Sequence, residues 1–183
     1  VSTPSKIVLP KVKSLSQATM SSINSVTYTG KEIKPSVTVK YGDKVLLNNT
    51  DYTIAYKNNT NAGNASVIIT GKGNFTGSIS KSFVIKKRSI EKFSCSMGSK
   101  YSYSGGQIKP SITIKDGTKT LKNGTDYTVS YGKNTALGKG TVKISGKGNY
   151  TGSITKTFTI SKQSVTTLSY SSLSTRTYTG KAI

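Results

Sequence analysis

Apolar residues recur at every second position along several stretches of this chain. Val37 and Val39 alternate with polar neighbours, and Tyr52, Ile54 and Tyr56 share one parity. A period of two is typical of half-buried β-strands, whose successive side chains point to opposite faces of a sheet. Further residues with this spacing are Val67 and Ile69, and then Ile79, Phe83 and Ile85. No stretch has a sustained helical period, so the pattern predicts an all-β fold.

Turn signals rich in glycine and asparagine separate the predicted strands. They lie at residues 41–44, 58–63 and 71–74. The glycines in them, Gly73 for example, are predicted to have positive φ, which only glycine adopts without strain. About six or seven short strands in each 75 residues, with connections this short, predict antiparallel pairing in a β-sandwich of immunoglobulin-like type.

A long internal repeat organises the chain. Residues 28–85 align without a gap on residues 103–160, and 33 of these 58 positions are identical. The same offset of 75 places Tyr178–Ile183 at the start of a third copy. This unit is too long for a solenoid repeat and indicates tandem small domains. We assign residues 1–10 to a preceding linker, 11–85 to a first copy, 86–160 to a second copy, and 161–183 to the opening of a truncated third copy.

Four motifs recur in both copies and suggest a family. They are Tyr-x-Gly-x-x-Ile-x-Pro, Asn-x-Thr-Asp-Tyr-Thr, Gly-Lys-Gly-Asn-(Phe/Tyr)-Thr-Gly and Phe-x-Ile, beginning at 28, 48, 71 and 83 in the first copy. This series resembles the tandem bacterial Ig-like repeats of large secreted or surface-anchored proteins of Gram-positive gut anaerobes. The resemblance implies an extracellular, non-catalytic module without disulfides. Because the sequence starts at Val1 without Met or a signal peptide, we expect it to be an interior piece of a larger parent chain.

The composition removes most catalytic chemistries. The chain has no His, a single Cys, Cys95, and only six acidic residues. Without an imidazole there is no Ser–His or Cys–His pair, and one thiol makes neither an intrachain disulfide nor a Cys cluster. We therefore expect no enzyme activity and no cofactor or metal. No apolar run is long enough to span a membrane.

Tyrosines that differ between the copies are the candidate ligand contacts. Tyr41 aligns with Asp116, Tyr101 aligns with Val26, and Tyr170 aligns with Cys95. Exposed rings of this kind would provide a platform for a sugar. The tyrosines that recur are predicted to be core residues with hydroxyls at the rim; they are the pairs Tyr28 and Tyr103, Tyr52 and Tyr127, and Tyr56 and Tyr131.

Asp51 and Asp126 are the only acidic residues at the same position in both copies. Each is predicted to cap the turn before the following strand. The alternative is that each promotes a Lys–Asn isopeptide bond, as a buried acid does in some Gram-positive surface domains.

The remaining clue is a net charge of +21. The first copy has nine Lys and three acids, whereas the second has fourteen Lys and Arg and three acids. Scattered lysines suit solubility and the protection of sheet edges, or attraction to anionic glycans, cell-wall polymers or acidic host proteins, rather than nucleic-acid binding. The predicted function is a stalk or spacer with an adhesive role. The alternative is a module that binds a host glycan, mucin or protein such as an immunoglobulin.

Overall fold

The computed structural model of the chain describes residues 11–164. All regular elements within them are β-strands, apart from one turn of 3₁₀-helix at Leu15–Gln17. No helix in this part of the chain is long and apolar enough to cross a membrane. The strands of the first copy are β1 (Lys13–Ser14), β2 (Thr19–Met20), β3 (Val26–Thr27), β4 (Val39–Tyr41), β5 (Lys44–Val45), β6 (Tyr52–Lys57), β7 (Gly63–Gly71), β8 (Phe75–Thr76) and β9 (Ser78–Lys86). Those of the second are β10 (Arg88–Ser89), β11 (Ser94–Met97), β12 (Lys100–Ser102), β13 (Ile112–Asp116), β14 (Lys119–Thr120), β15 (Tyr127–Tyr131), β16 (Gly138–Gly146), β17 (Tyr150–Thr151) and β18 (Ser153–Ser161).

Each copy has the same pair of sheets. In the first copy, a four-stranded sheet has the order β3-β9-β7-β6 and a three-stranded sheet has the order β2-β4-β5. In the second copy the corresponding orders are β12-β18-β16-β15 and β11-β13-β14. A short pair, β1 with β8 or β10 with β17, closes one end of each copy. Every sheet among residues 11–164 is made of strands from a single copy.

The core of each copy lies between its two sheets. In the first copy, Val39 of β4 faces the core from the three-stranded sheet, and Val67 and Ile69 of β7 face it from the four-stranded sheet. Their counterparts in the second copy are Ile114, Val142 and Ile144, and all six are fully buried. Side chains from two facing sheets therefore form a β-sandwich core. The predicted all-β class and alternating inner face are confirmed.

The prediction that all strands pair antiparallel was wrong. β3 runs parallel to β9, and β1 runs parallel to β8. The second copy repeats both pairings, between β12 and β18 and between β10 and β17. Parallel neighbouring strands need a long connection. Here that connection consists of the intervening strands of the same copy. These entry strands have only two or three residues, so the alternation pattern missed them, and each copy has nine strands instead of six or seven.

The predicted roles of the shared aspartates and glycines are confirmed. Asp51 Oδ2 accepts a hydrogen bond from the N–H of Leu47 at 3.0 Å, and Asp126 Oδ2 accepts one from the N–H of Lys122 at 2.9 Å. Both aspartates are buried and hold the turn that leads into β6 or β15. Gly73 and Gly148 have positive φ of 64° and 62° in the turns before β8 and β17.

Candidate functional site at the junction of the two copies

A single residue connects the last strand of the first copy to the first strand of the second. β9 ends at Lys86 and β10 begins at Arg88, so only Lys87 lies between them. The carbonyl of Lys86 accepts the N–H of Tyr28 at 2.9 Å, and the N–H of Arg88 donates to the carbonyl of Asn149 at 3.0 Å. The two neighbours of Lys87 are thus held by hydrogen bonds, one within each copy.

An aromatic pair packs across this junction. The ring of Tyr28, in the first copy, meets the ring of Tyr150, in the second, edge to face with centroids 5.5 Å apart and planes at 84°. Tyr150 also packs against Phe93 of its own copy at 5.9 Å. Tyr28 is 7 % exposed and Tyr150 is 1 % exposed. Edge-to-face geometry places the positive edge of one ring on the negative face of the other, so the contact is specific as well as apolar.

Asn149 adds two hydrogen bonds between the copies. Its Oδ1 accepts the N–H of Ala62 at 2.8 Å, and its Nδ2 donates to Oδ1 of Asn61 at 3.0 Å. Asn61 and Ala62 belong to the loop between β6 and β7. The side-chain amide therefore ties a loop of the first copy to the turn before β17 of the second. Because both polar ends of the amide are used, its orientation is fixed.

Charged groups surround the second-copy side of the junction. Arg88 forms an ion pair with Asp116 at 3.0 Å, and its guanidinium lies 5.4 Å from the centre of the Phe93 ring. Lys119 Nζ lies 5.5 Å from the centre of the Tyr150 ring and donates to its hydroxyl at 3.3 Å. Burial raises the pKa of Tyr150, although Lys119 acts in the opposite direction. The hydroxyl therefore stays protonated at neutral pH.

The equivalent end of the first copy contains the predicted ligand residue Tyr41. Its hydroxyl donates to Oε1 of Gln17 at 2.7 Å, and its ring meets Phe75 with centroids 5.5 Å apart. Lys13 Nζ lies 5.3 Å from the centre of the Tyr41 ring. A shallow groove of about 370 Å³ runs beside the ring, lined by Lys11, Val12, Lys13, Ser14, Gln17 and Tyr41. Tyr41 is half-buried, so part of the ring remains accessible at this groove.

The other predicted ligand residues do not join Tyr41 in one site. Tyr101 lies in β12 of the second copy and packs edge to face on Phe158, with centroids 5.1 Å apart. It is also half-buried. Tyr170 lies outside the described residues. The described tyrosines of this set thus sit in different copies, each against a ring of its own copy, and their ligand role stays a prediction.

The prediction for the recurring tyrosines was right for five of the six and wrong for Tyr103. Tyr52 and Tyr127 are buried, and the half-buried Tyr56 and Tyr131 donate their hydroxyls to the carbonyls of Pro35 and Pro110. Tyr28 is buried, whereas Tyr103 at the same position in the second copy is 40 % exposed. The difference arises because Tyr150 of the other copy packs on Tyr28. Sequence reasoning treated each copy separately and so missed the junction.

The described residues supply little for catalysis or metal binding. Among residues 11–164 no three His, Cys, Asp or Glu side chains gather where they could hold a metal ion. Cys95 lies in β11, opposite Ile114 of β13, and is half-buried; burial raises the pKa of its thiol, against a smaller effect of Lys156. A thiol with a raised pKa is a poor nucleophile at neutral pH.

Comparison with known proteins finds no match, either to a protein-family model or to a curated protein. The resemblance of the shared motifs to bacterial Ig-like repeats therefore stays a prediction.

Proposed function

We propose that this chain is a non-catalytic, extracellular spacer of a bacterial surface protein, built from immunoglobulin-like modules in tandem. The observation that supports this function is the junction between the copies. Domains joined in one chain move relative to each other by default unless the interface between them is large and hydrophobic, so the restriction proposed here comes from a very short connection together with specific contacts. Here the connection is one residue long, and an aromatic pair and two side-chain hydrogen bonds reinforce it. A spacer needs this property, because a joint that bends freely would not hold a distal domain away from the cell.

The use of the acidic side chains supports a role without catalysis. Asp51 and Asp126 accept backbone N–H groups in buried turns, and Asp116 pairs with Arg88. Glu32 pairs with Lys34 at 2.7 Å on the surface. Each of these carboxylates has a structural or surface partner, and none of these contacts resembles an acid–base pair in a cleft. With no His in the chain, the residues that remain suit a mechanical role.

Electron spin–spin distances test the spacer directly. Ser80 and Thr155 are exposed, occupy equivalent positions in the two copies and can carry spin labels as Ser80→Cys and Thr155→Cys, with Cys95→Ser removing the native thiol. We expect one narrow distance distribution. The double substitution Tyr28→Ser and Asn149→Ala should broaden this distance distribution. Without the contacts of these two side chains, only Lys87 links the copies, and its two backbone dihedrals are free to rotate. A broad distribution in the labelled protein without these substitutions would refute the proposal.

A second candidate function, adhesion to anionic polymers, is favoured by one face of the second copy. Lys139 and Lys143 lie in β16, both exposed on the outer side of the four-stranded sheet, where the first copy has Asn64 and Ile68. Four residues along a strand place the Cα atoms of these two lysines about 13 Å apart. Dispersed ammonium groups attract a polyanion through a field with a reach of about 8 Å at physiological salt.

Heparin retention tests this second candidate. The double substitution Lys139→Asn and Lys143→Thr should weaken retention more than Lys31→Asn and Lys40→Thr, which removes the same charge from the first copy. Equal losses would mean that total charge, not this face, governs the attraction.

A further inference from the structure

The two copies present the same end face in different surroundings. In the first copy this face contains Tyr28 and Ala62, and the second copy covers it. In the second copy the equivalent residues are Tyr103 and Leu137, which are 40 % and 50 % exposed. Other large hydrophobic residues of the described chain, Leu47 for example, are as exposed as these two, but the repeat places Tyr103 and Leu137 together at the end of the second copy that corresponds to the covered end of the first.

The backbone beneath the two faces is the same. Tyr28 donates its N–H to the carbonyl of Lys86 at the end of β9, and Tyr103 donates to Ser161 at the end of β18, at 2.9 and 2.8 Å. At the adjoining loop, the N–H of Ile33 bonds the carbonyl of Asn59, and the N–H of Ile108 bonds the carbonyl of Asn134. The faces therefore differ in what covers them and not in how they are folded.

We infer that the face formed by Tyr103 and Leu137, here called the distal face, docks the third copy of the repeat, whose opening in this chain is residues 161–183. This inference rests on the proposed spacer function. The chain leaves β18 at Ser161, the counterpart of Lys86 in β9. The chain therefore leaves the second copy at the position that corresponds to the junction between the first and second copies.

The occupant is defined by chemistry as well as by position. The second copy meets Tyr28 with the ring of Tyr150 and meets the N–H of Ala62 with the amide of Asn149. A copy that carries the motif of residues 71–77 and 146–152 would bring its aromatic ring to Tyr103 and its Asn to the N–H of Leu137. Asn61 is replaced by Ala136, so the hydrogen bond between two Asn side chains does not recur. The larger Leu137 offers apolar area in its place.

The test duplicates the second copy inside the full chain. Residues 1–160 followed by residues 86–183 join Ile160 to Lys86, as Ile85 is joined to Lys86 in the natural chain. Spin labels at residues 80 and 155 of the first two copies report the first junction. Labels at residue 155 of the middle and added copies report the second, with every Cys95 replaced by Ser. We expect the two pairs to give the same mean distance and similarly narrow distributions.

Matched substitutions assign the contact. Tyr103→Ser with Leu137→Ser in the middle copy should reduce the ratio of docked to undocked molecules at the second junction by roughly tenfold, and should leave the first junction unchanged. Tyr28→Ser should do the reverse. Because Tyr103 and Leu137 are exposed before docking, their loss should not unfold the copy, and the far-ultraviolet circular dichroism spectrum checks this.

The outcomes separate the two proposals. A narrow first junction with a broad second one overturns the docking inference and leaves the spacer function standing. Two broad junctions overturn both. A narrow second junction that the distal-face substitutions do not change would mean that another surface docks the third copy. Concentration-dependent dimerisation of the 183-residue chain that Tyr103→Ser abolishes would assign the face to a second molecule and overturn the inference.

Discussion

Tyr28 and Tyr103 allow the energy of the junction to be measured by one substitution made twice. Both are Tyr at the same position of the repeat, but Tyr28 is 7 % exposed and Tyr103 is 40 % exposed. The difference is about a third of a side chain that buries roughly 200 Å², or about 70 Å² of extra burial at Tyr28. At about 25 cal/mol per Å² this area contributes about 1.7 kcal/mol. The edge-to-face pair with Tyr150 adds about 0.5–1.5 kcal/mol.

We therefore predict that Tyr28→Ala lowers the free energy of unfolding by about 2–3 kcal/mol more than Tyr103→Ala does. Urea unfolding of the full chain, followed by circular dichroism, measures both values from the midpoint and slope. The comparison cancels the intrinsic cost of replacing Tyr by Ala, because the local backbone is the same at the two positions. A difference below about 0.5 kcal/mol, the size of an ordinary surface effect, would refute the reasoning.

A double-mutant cycle identifies the partner. Tyr28→Ala and Tyr150→Ala should be coupled by about 0.5–1.5 kcal/mol, because each removes one ring of the pair. Tyr103→Ala and Tyr150→Ala should be additive within about 0.3–0.5 kcal/mol. Coupling between Tyr103→Ala and Tyr150→Ala would mean that Tyr150 stabilises the second copy itself and not the junction.

Three further predictions concern other contacts. Since burial raises the pKa of Tyr150, the stability it contributes is full below its usual pKa of about 10 and is lost as pH rises through the raised value. Thermal unfolding of Tyr150→Phe should therefore lose less stability between neutral and strongly alkaline pH than the natural chain, and an equal loss would contradict this. Asn134→Ala should cost about 2–4 kcal/mol, because the Asn134 side chain bonds the carbonyl of Ile108 and both backbone groups of Thr141. Asn59→Ala, which removes a hydrogen bond to the carbonyl of Ile33, should lower the free energy of unfolding by less, and chemical denaturation of the two variants checks this. Heparin retention should weaken steeply with salt, and removing Lys139 and Lys143 should lower the slope of log affinity against log salt by roughly two; salt-independent binding would exclude charge as the cause.

The regular part of each copy could be predicted from sequence because it follows from local patterning. Alternation along residues 52–57 and 63–71 marks strands that face a core on one side, and the structure has strands at both places. The turn glycines and the two aspartates could also be predicted from sequence, since their geometry is set by residues within four positions in the chain. Local periodicity and turn chemistry carry information of this range.

The short entry strands and the junction depend on contacts that are distant in sequence. β3 has two residues and pairs with β9 almost sixty residues later, so no alternation can reveal it. Asn149 bonds Asn61 and Ala62 across 88 and 87 residues. In the sequence it is one more Asn in a turn. The contrast between Ala62 and Leu137 at equivalent loop positions was one signal, and its meaning requires knowing that the loop lies at the end of the copy.

The differences between the copies at their entry ends suggest how the order of modules is fixed. The first copy uses Lys13 against the Tyr41 ring, whereas the second uses Arg88 paired with Asp116 at the same two positions. The cation and its partner have therefore changed together. An Arg–carboxylate pair has a fixed geometry that a Lys over a ring does not reproduce. Beside it, Tyr150 replaces Phe75 and supplies the ring that meets Tyr28. These exchanges lie at the end of the second copy that meets the first, whereas the inner face keeps its apolar character in both copies, so the joint has diverged and the sandwich core has not.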